Sequence, residues 1–319
     1  MRIGIGIGEL AGRPLALDEL IAHAQQAEQD GFASVWLASA FGIDPLIAVA
    51  AIARETARIE LGTAVVPTYL RHPVALAQEA LTLQAVTRGR FALGIGLSHP
   101  MVIESMLGLS YAKPFTHMKE YLAVLNALIG NGTVSHDGVE FRVHANVTAP
   151  GTAPCPILLA ALAPKMLALA GAQSAGTITW MTGPKTLRDY IVPRINAAAA
   201  AAGRPAPRIV AGLRIAVTEE VNAAREWAKN ALQFYGHLPS YRAMLDREGV
   251  EGPADIIVVG NEDAVGEQVH ELRDAGVTDL LAIPFPVGTE RQASLQRTRT
   301  LLLKLNGGEV CSAPNRAGG

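Results

Sequence analysis

Residues 58–100 read RIELGTAVVPTYLRHPVALAQEALTLQAVTRGRFALGIGLSHP. IELGTAVV is a short apolar run rich in β-branched residues, which predicts a strand. HPVALAQEALTLQAV follows, with Pro73 just inside its start and apolar residues at helical spacing. It predicts a helix. RFALGIGL is a second short apolar run and predicts the next strand. A strand, a helix and a strand in this order make a parallel crossover unit.

The alternation extends in both directions. Residues 2–7 alternate Ile with Gly at period two, as a strand does. LDELIAHAQQAEQD, residues 17–30, puts Leu17, Leu20, Ile21, Ala24 and Ala27 on one helical stripe. Gly31 stands where a helix C-cap is expected. Strands are predicted near residues 2–7, 33–38, 58–66, 90–97, 156–161, 176–181, 208–217 and 279–284, and helices separate nearly all of them. Eight such units in 319 residues favour an α/β fold closed into a (β/α)8 TIM barrel. A doubly wound open sheet is the runner-up.

Two intervals are too long for one crossover. Residues 98–155 follow strand four and include the helical KEYLAVLNALIG and the hairpin-like GTVSHDGVEFRV. In the latter, Asp137-Gly138 is a two-residue turn signal. Residues 218–278 follow strand seven and hold further helices. Insertions after barrel strands sit over the active face, so both are candidate substrate walls. Residues 1–305 are read as a single domain. NGGEVCSAPNRAGG, residues 306–319, has no periodicity and is expected to be a disordered tail.

Composition narrows the function. Lys and Arg number 27 against 29 Asp and Glu, a net charge of −2. That balance gives no global footprint for nucleic acid or an anionic membrane. The two cysteines, Cys155 and Cys311, form no disulfide framework, and no Cys/His cluster offers a metal site. No signal peptide or spanning segment is read, so a cytoplasmic protein is expected.

Candidate chemistry gathers at strand ends. Gly4, Gly6 and Gly8, and again Gly94 and Gly96, mark either close ligand approach or packing between barrel layers. Ser98 and His99 follow strand four directly, where barrel enzymes hold their chemistry. No Gly-x-Ser-x-Gly elbow accompanies them, so a hydrolase triad is unsupported. Lys165 and the turn after Ala160 and Ala161 open a helix whose free N–H groups favour an anion. Gly176 and Thr177 open the next strand, and together these residues suit a phosphate; an ordinary turn is the competing reading. Glu9 ends strand one, either facing the site or solvated. His72 is read mainly as a loop-fixing residue, and Trp36 and Trp180 as packing.

GFASVWLA, IELGTAVVPTYLRHPVALAQEALTL, GRFALGIGLSHP, the insertion from HMKEYLAVL to VEFRV, AGTITWMTGP and GRPAPRIVAGL together resemble the bacterial luciferase-like family of flavin and deazaflavin oxidoreductases. The subgroup that the chain resembles uses the deazaflavin coenzyme F420. The resemblance implies a planar tricyclic ring at the barrel mouth, backed by a bulge or cis peptide at Ala64 and Val65. It implies Gly96 and Ser98 along one edge of the ring. It also implies a phosphate tail running past Ala160, Ala161 and Lys165 to Gly176 and Thr177. The implied reaction is hydride transfer, with the cofactor supplying the chemistry and the protein the orientation. Several deazaflavin relatives carry Asp-His after the strand-two Val-Trp. Here Ser39 and Ala40 stand there, so the sugar-phosphate chemistry that uses that His is not expected. His99, Glu9 and Ser39 remain as catalytic candidates, with His99 foremost for a proton.

An F420-dependent oxidoreductase acting on a small molecule is the expected function. An FMN-dependent monooxygenase and a non-catalytic flavin-binding protein are the alternatives. A homodimer is compatible with the resemblance.

Overall fold

The computed structural model describes residues 1–307. Its strands are β1 (Arg2–Gly6), β2 (Ser34–Leu37), β3 (Glu60–Thr63), β4 (Val66–Pro67), β5 (Phe91–Gly96), β6 (Thr133–Asp137), β7 (Arg142–Asn146), β8 (Ile157–Ala160), β9 (Gly176–Trp180), β10 (Arg208–Val217), β11 (Val258–Gly260) and β12 (Asp279–Pro284). Its helices are α1 (Leu17–Asp30), α2 (Pro45–Glu55), α3 (Pro73–Thr87), α4 (Pro114–Asn131), α5 (Pro164–Gln173), α6 (Pro184–Thr186), α7 (Val192–Ala201), α8 (Val221–Ala231), α9 (Gln233–His237), α10 (Pro239–Glu248), α11 (Glu262–Asp274) and α12 (Arg291–Asn306).

The strands run in the order β10-β12-β1-β2-β3-β5-β8-β9, and β9 pairs back onto β10. Every pairing around this ring is parallel, so the sheet closes into a (β/α)8 barrel with helices outside. The eight strands lie where the apolar runs predict them.

Local chemistry sets the element ends. Asp44 caps α2 by accepting the N–H groups of Leu46 at 2.9 Å and Ile47 at 3.2 Å, with Pro45 at the first helical position. His72 caps α3 by accepting the Val74 N–H at 3.3 Å, which is the structural role expected of it. Gly31 ends α1 with φ +96°, a left-handed conformation that costs glycine little.

Side chains alternate between two packed layers. Trp36, Ala92, Leu158, Ile178, Val210, Leu281 and Ile283 fill the barrel interior. Trp36 is fully buried and donates its indole N–H to Ser34 at 2.8 Å, so the packing reading holds for it. A Cβ on Gly94 would lie 1.9 Å from the Thr63 carbonyl oxygen, so that position serves packing between strands. The outward faces bury against the helices in the main core.

The N-terminal end of the barrel is closed by charge. Arg208 donates to Glu60 at 2.9 Å and to Asp279 at 2.6 Å, tying β10, β3 and β12 together. Conserving the fold rather than chemistry is the usual business of that end of a barrel.

Four expectations need correction. The third strand is not continuous over 58–66 but divides into β3 and β4; the Ala64–Val65 peptide between them is cis, as the resemblance implies. β11 is a strand not anticipated from sequence; it pairs only with Ile215, Ala216 and Val217 at the outer end of β10. The hairpin turn is wider than Asp137-Gly138, because Asp137 pairs with Arg142 and the turn spans residues 138–141. Glu120 holds the wider turn by accepting N–H groups from Val139, Glu140 and Phe141 at 2.8–3.0 Å. The tail cannot begin at residue 306. Asn306 ends α12, accepts the Ile3 N–H at 2.8 Å and donates to the Gly31 carbonyl at 2.9 Å. Residues 308–319, including Cys311, lie outside the described residues.

No helix among the described residues is long and apolar enough to cross a membrane.

Candidate active site

A cavity of about 1280 Å3 opens where the barrel strands end. Ten of the twelve residues singled out from sequence line it: Glu9, Ser39, Ala64, Val65, Gly96, Ser98, His99, Ala160, Ala161 and Lys165. Gly176 and Thr177 do not line it. They open β9, so they stand at the opposite end of that strand from the mouth. The Thr177 hydroxyl is buried and donates to the Leu159 carbonyl at 2.8 Å. A Cβ on Gly176 would lie 2.0 Å from the Arg208 carbonyl oxygen, so strand packing accounts for that glycine. Thr179 and Trp180, at the far end of β9, reach the cavity instead.

One wall is built from small residues. Ala64 and Val65 leave β3, Gly96 ends β5, and Ala160 and Ala161 end β8. A Cβ on Gly96 would lie 2.8 Å from the Val65 side chain and 3.2 Å from that of Ala160. The three segments therefore meet in a shallow face that only a hydrogen at Gly96 leaves open. The Ser39 N–H donates to the Val65 carbonyl at 3.4 Å and steadies that wall from β2.

Ser98 has φ +60°, which a non-glycine residue adopts only at a cost of about 1–3 kcal/mol. Tyr111 donates its hydroxyl to the Ser98 carbonyl at 3.4 Å and so braces the bend. The bend turns His99 toward the insertion helices, its ring 6.4 Å from Phe234 and 5.8 Å from Tyr241. Burial among these rings lowers the imidazole pKa below its ordinary 6.5, so the ring is neutral at pH 7. Among the described residues its ring makes no hydrogen bond, which leaves both nitrogens available.

Glu9 sits on the turn after β1, and its carboxylate accepts the Ala40 N–H at 3.2 Å. Lys165 is exposed near the N-terminus of α5, its Nζ 5.9 Å above the Phe115 ring. Arg71 and Asp44 form an ion pair on the cavity rim, and Arg71 Nε lies 3.3 Å from Glu79.

Arg214 was not anticipated as a site residue. It lies on β10 with only 7% of its surface exposed, yet it lines the cavity. Nη1 donates to the Ala11 carbonyl at 3.1 Å, while Nε has no partner. Its guanidinium lies 5.5 Å from the Trp227 ring and 6.0 Å from the Trp180 ring. Burial pushes its pKa down, and no carboxylate among the described residues stands against it. Withdrawing such a charge from water costs several kcal/mol, whereas a cation–π contact contributes about 0.5–2 kcal/mol. The signal was present in RIVAGLRIAV. Period two puts Arg214 on the same inward face as Val210 and Gly212, a charge among barrel-filling residues. Phe234, Tyr235 and Tyr241 were also missed. They come from α9 and α10, and no local pattern says which face of an insertion helix meets the barrel.

The cavity thus has a flat wall of small residues, an anion-compatible helix start, one neutral imidazole and one unpaired buried guanidinium. A 5,10-methylenetetrahydromethanopterin reductase of Methanolobus tindarius is 28% identical over 308 residues, covering 86% of this chain and 93% of its own. A coenzyme F420-dependent tetrahydromethanopterin reductase structure from Methanopyrus kandleri matches with a TM-score of 0.78 at 21% identity, over 93% of this chain and 97% of the other. An F420-dependent secondary alcohol dehydrogenase, solved with an F420–acetone adduct, matches with 0.75 at 17% identity, over 94% and 97%. These two structural likenesses establish the barrel. The family model described as luciferase-like monooxygenase matches residues 3–292, nearly all of that barrel, and this chain belongs to that family.

Proposed function

We propose that the protein is a coenzyme F420-dependent oxidoreductase of the luciferase-like family, acting on a small organic molecule. The observation that carries this is the wall of Ala64, Val65, Gly96 and Ala160, in a chain whose relatives include a putative coenzyme F420-dependent oxidoreductase of Mycobacterium tuberculosis. The fit is steric. A planar ring needs a broad face without protruding side chains, and Gly96 is the position where a single Cβ would fill that face.

In this reading Ala64 and Val65 back the ring and Gly96 and Ser98 follow its edge. Ala160, Ala161 and Lys165 hold the anionic tail at the start of α5, where helix N–H groups favour negative charge. The bound deazaflavin would supply hydride transfer. The chain supplies the rest, mainly orientation of two reactants, worth up to about 7–11 kcal/mol of barrier. His99 accepts a substrate hydroxyl proton when an alcohol is oxidised, a task suited to a neutral imidazole. In the opposite direction the same ring, protonated from solvent, returns that proton to the alkoxide left by hydride addition. Glu9 and Ser39 add polar contacts from β1 and β2. Phe234 and Tyr241 cover the pocket and exclude water.

The reading takes residues 1–305 as one functional unit in the cytoplasm, and it includes a homodimer, which sedimentation velocity checks. Calorimetric titration with F420 and FMN tests the cofactor. Tighter binding of F420 is expected, and equal or reversed affinities would overturn the assignment.

A further inference from the structure

The geometry points to Arg214 as the anchor for a carboxylate on the substrate. It stands on the barrel wall opposite the Ala64–Val65 part of the small-residue face. In the ring of strands, β10 and β3 are four steps apart in either direction, which makes them diametrically opposed. Assigning the small-residue face to the deazaflavin rests on the proposed function. On that assignment, Arg214 belongs to the space left for the substrate.

Three observations indicate that the guanidinium is held for a ligand. It is more than nine-tenths buried and lines the cavity. Its only hydrogen bond among the described residues goes to one backbone carbonyl, and Nε is unpartnered. Its surroundings are also shaped to admit it. The turn after β1 passes beside the guanidinium at Gly12, whose φ of +79° favours glycine and where a Cβ would lie 3.2 Å from Nη2. Trp180 and Trp227 lie 6.0 and 5.5 Å from it, within cation–π range, and leave its charge unneutralised.

The ligand class follows from charge and shape. The planar fork of Arg matches a carboxylate with two parallel hydrogen bonds. One guanidinium without a second cation against it balances a monoanion better than a doubly charged phosphate. The neighbouring walls are Leu281, Trp180, Tyr235 and Phe234, so the remainder of the substrate is apolar or aromatic. His99, from β5, reaches the same cavity and faces the part of the substrate that reacts.

The test uses cinnamate, cinnamamide and phenylphosphonate as probes, titrated by calorimetry with and without bound F420. Cinnamate should bind the wild-type protein at least tenfold more tightly than cinnamamide. Arg214→Met should reduce that preference below twofold while leaving F420 affinity unchanged. Should Arg214→Met not fold, as judged by its melting transition, Arg214→Lys replaces it. There, cinnamate should weaken at least threefold with cinnamamide unchanged. Equal binding of acid and amide by the wild type overturns the proposal, as does a preference that survives loss of Arg214. Tighter binding of phenylphosphonate than of cinnamate overturns the carboxylate assignment. A loss of F420 affinity in the variant moves Arg214 to the cofactor and overturns it as well. If F420 itself does not bind, the proposed activity falls, while the acid-to-amide ratio of the cofactor-free protein still decides the role of Arg214.

Discussion

His99 is held between Phe234 and Tyr241 with no hydrogen bond to its ring among the described residues, so its protonation is governed by burial. The folded-state pKa lies below 6.5, so the neutral form, the active one in alcohol oxidation, predominates at pH 7. Activity is expected to be flat above that pH and to fall as acid protonates the ring. His99→Ala should lower turnover at least tenfold, about 1.4 kcal/mol on the barrier, and abolish the acid limb. F420 affinity should change less than twofold. Steady-state kinetics across pH, with a parallel titration, checks all three. Gly96 makes a complementary case. Gly96→Val puts branched carbon where 2.8 Å already separates a Cβ from Val65, so F420 binding should weaken at least tenfold while the fold persists. Cavity-lining positions at strand C-termini could be read from sequence because strand ends were visible. Thr177 was misread because the strand was right but the wrong end of it was taken. Arg214 was overlooked because its neighbours made the run look like uninterrupted core.

At the scale of elements, caps and apolar periodicity located most helices and strands, Pro73 and Gly31 being clear punctuation. The hairpin of β6 and β7 shows where such signals stop. Asp137-Gly138 names a turn, but the turn's length is decided by Glu120 on α4, which no local window contains. Burial alone would raise the Glu120 carboxyl; its three backbone N–H donors hold it below the usual carboxylate range instead. Glu120→Ala removes all three acceptor contacts and leaves three part-buried N–H groups of the turn without a protein partner. A loss of about 2 kcal/mol is expected, measured by urea unfolding, with Glu120→Gln recovering part of it. β11 escaped notice for a similar reason: three residues carry no period, and only the free edge of β10 makes them a strand.

For the molecule as a whole, closure depends on the ion network at the base. Asp279 has a side chain only 4% exposed, and Arg208→Met leaves it beside Glu60 with the half-exposed Arg2 as the one remaining cation among the described residues. Loss of about 3–5 kcal/mol is expected, seen as a lower melting temperature. Acid should act in two stages. His23, His99 and His117 all have folded pKa values below 6.5, chiefly through burial, so the unfolded chain binds protons first. Stability should hold above pH 7 and begin to fall below about 6.5. Glu28 and Glu120 have depressed folded values, so their contribution is lost further down, as pH drops below about 4.5 and through those values. Melting temperature against pH should show both declines. The barrel itself was legible because eight crossovers leave few topologies; residues 218–278 were legible as a candidate wall, but the side chains they turn to the pocket were not, because no local pattern says which face of an insertion helix meets the barrel. That wall has its own apolar cluster, in which Ala224, Ala228, Leu232 and Leu245 pack on the strand ends through β11. β10 pairs with β9 as far as Gly212 and with β11 only from Ile215, so barrel closure and wall attachment occupy separate lengths of one strand. Residues 218–260 should therefore behave as an interchangeable cassette: a chimera carrying another sequence over this stretch is expected to keep a closed barrel and its F420 affinity while its appetite for substrates changes.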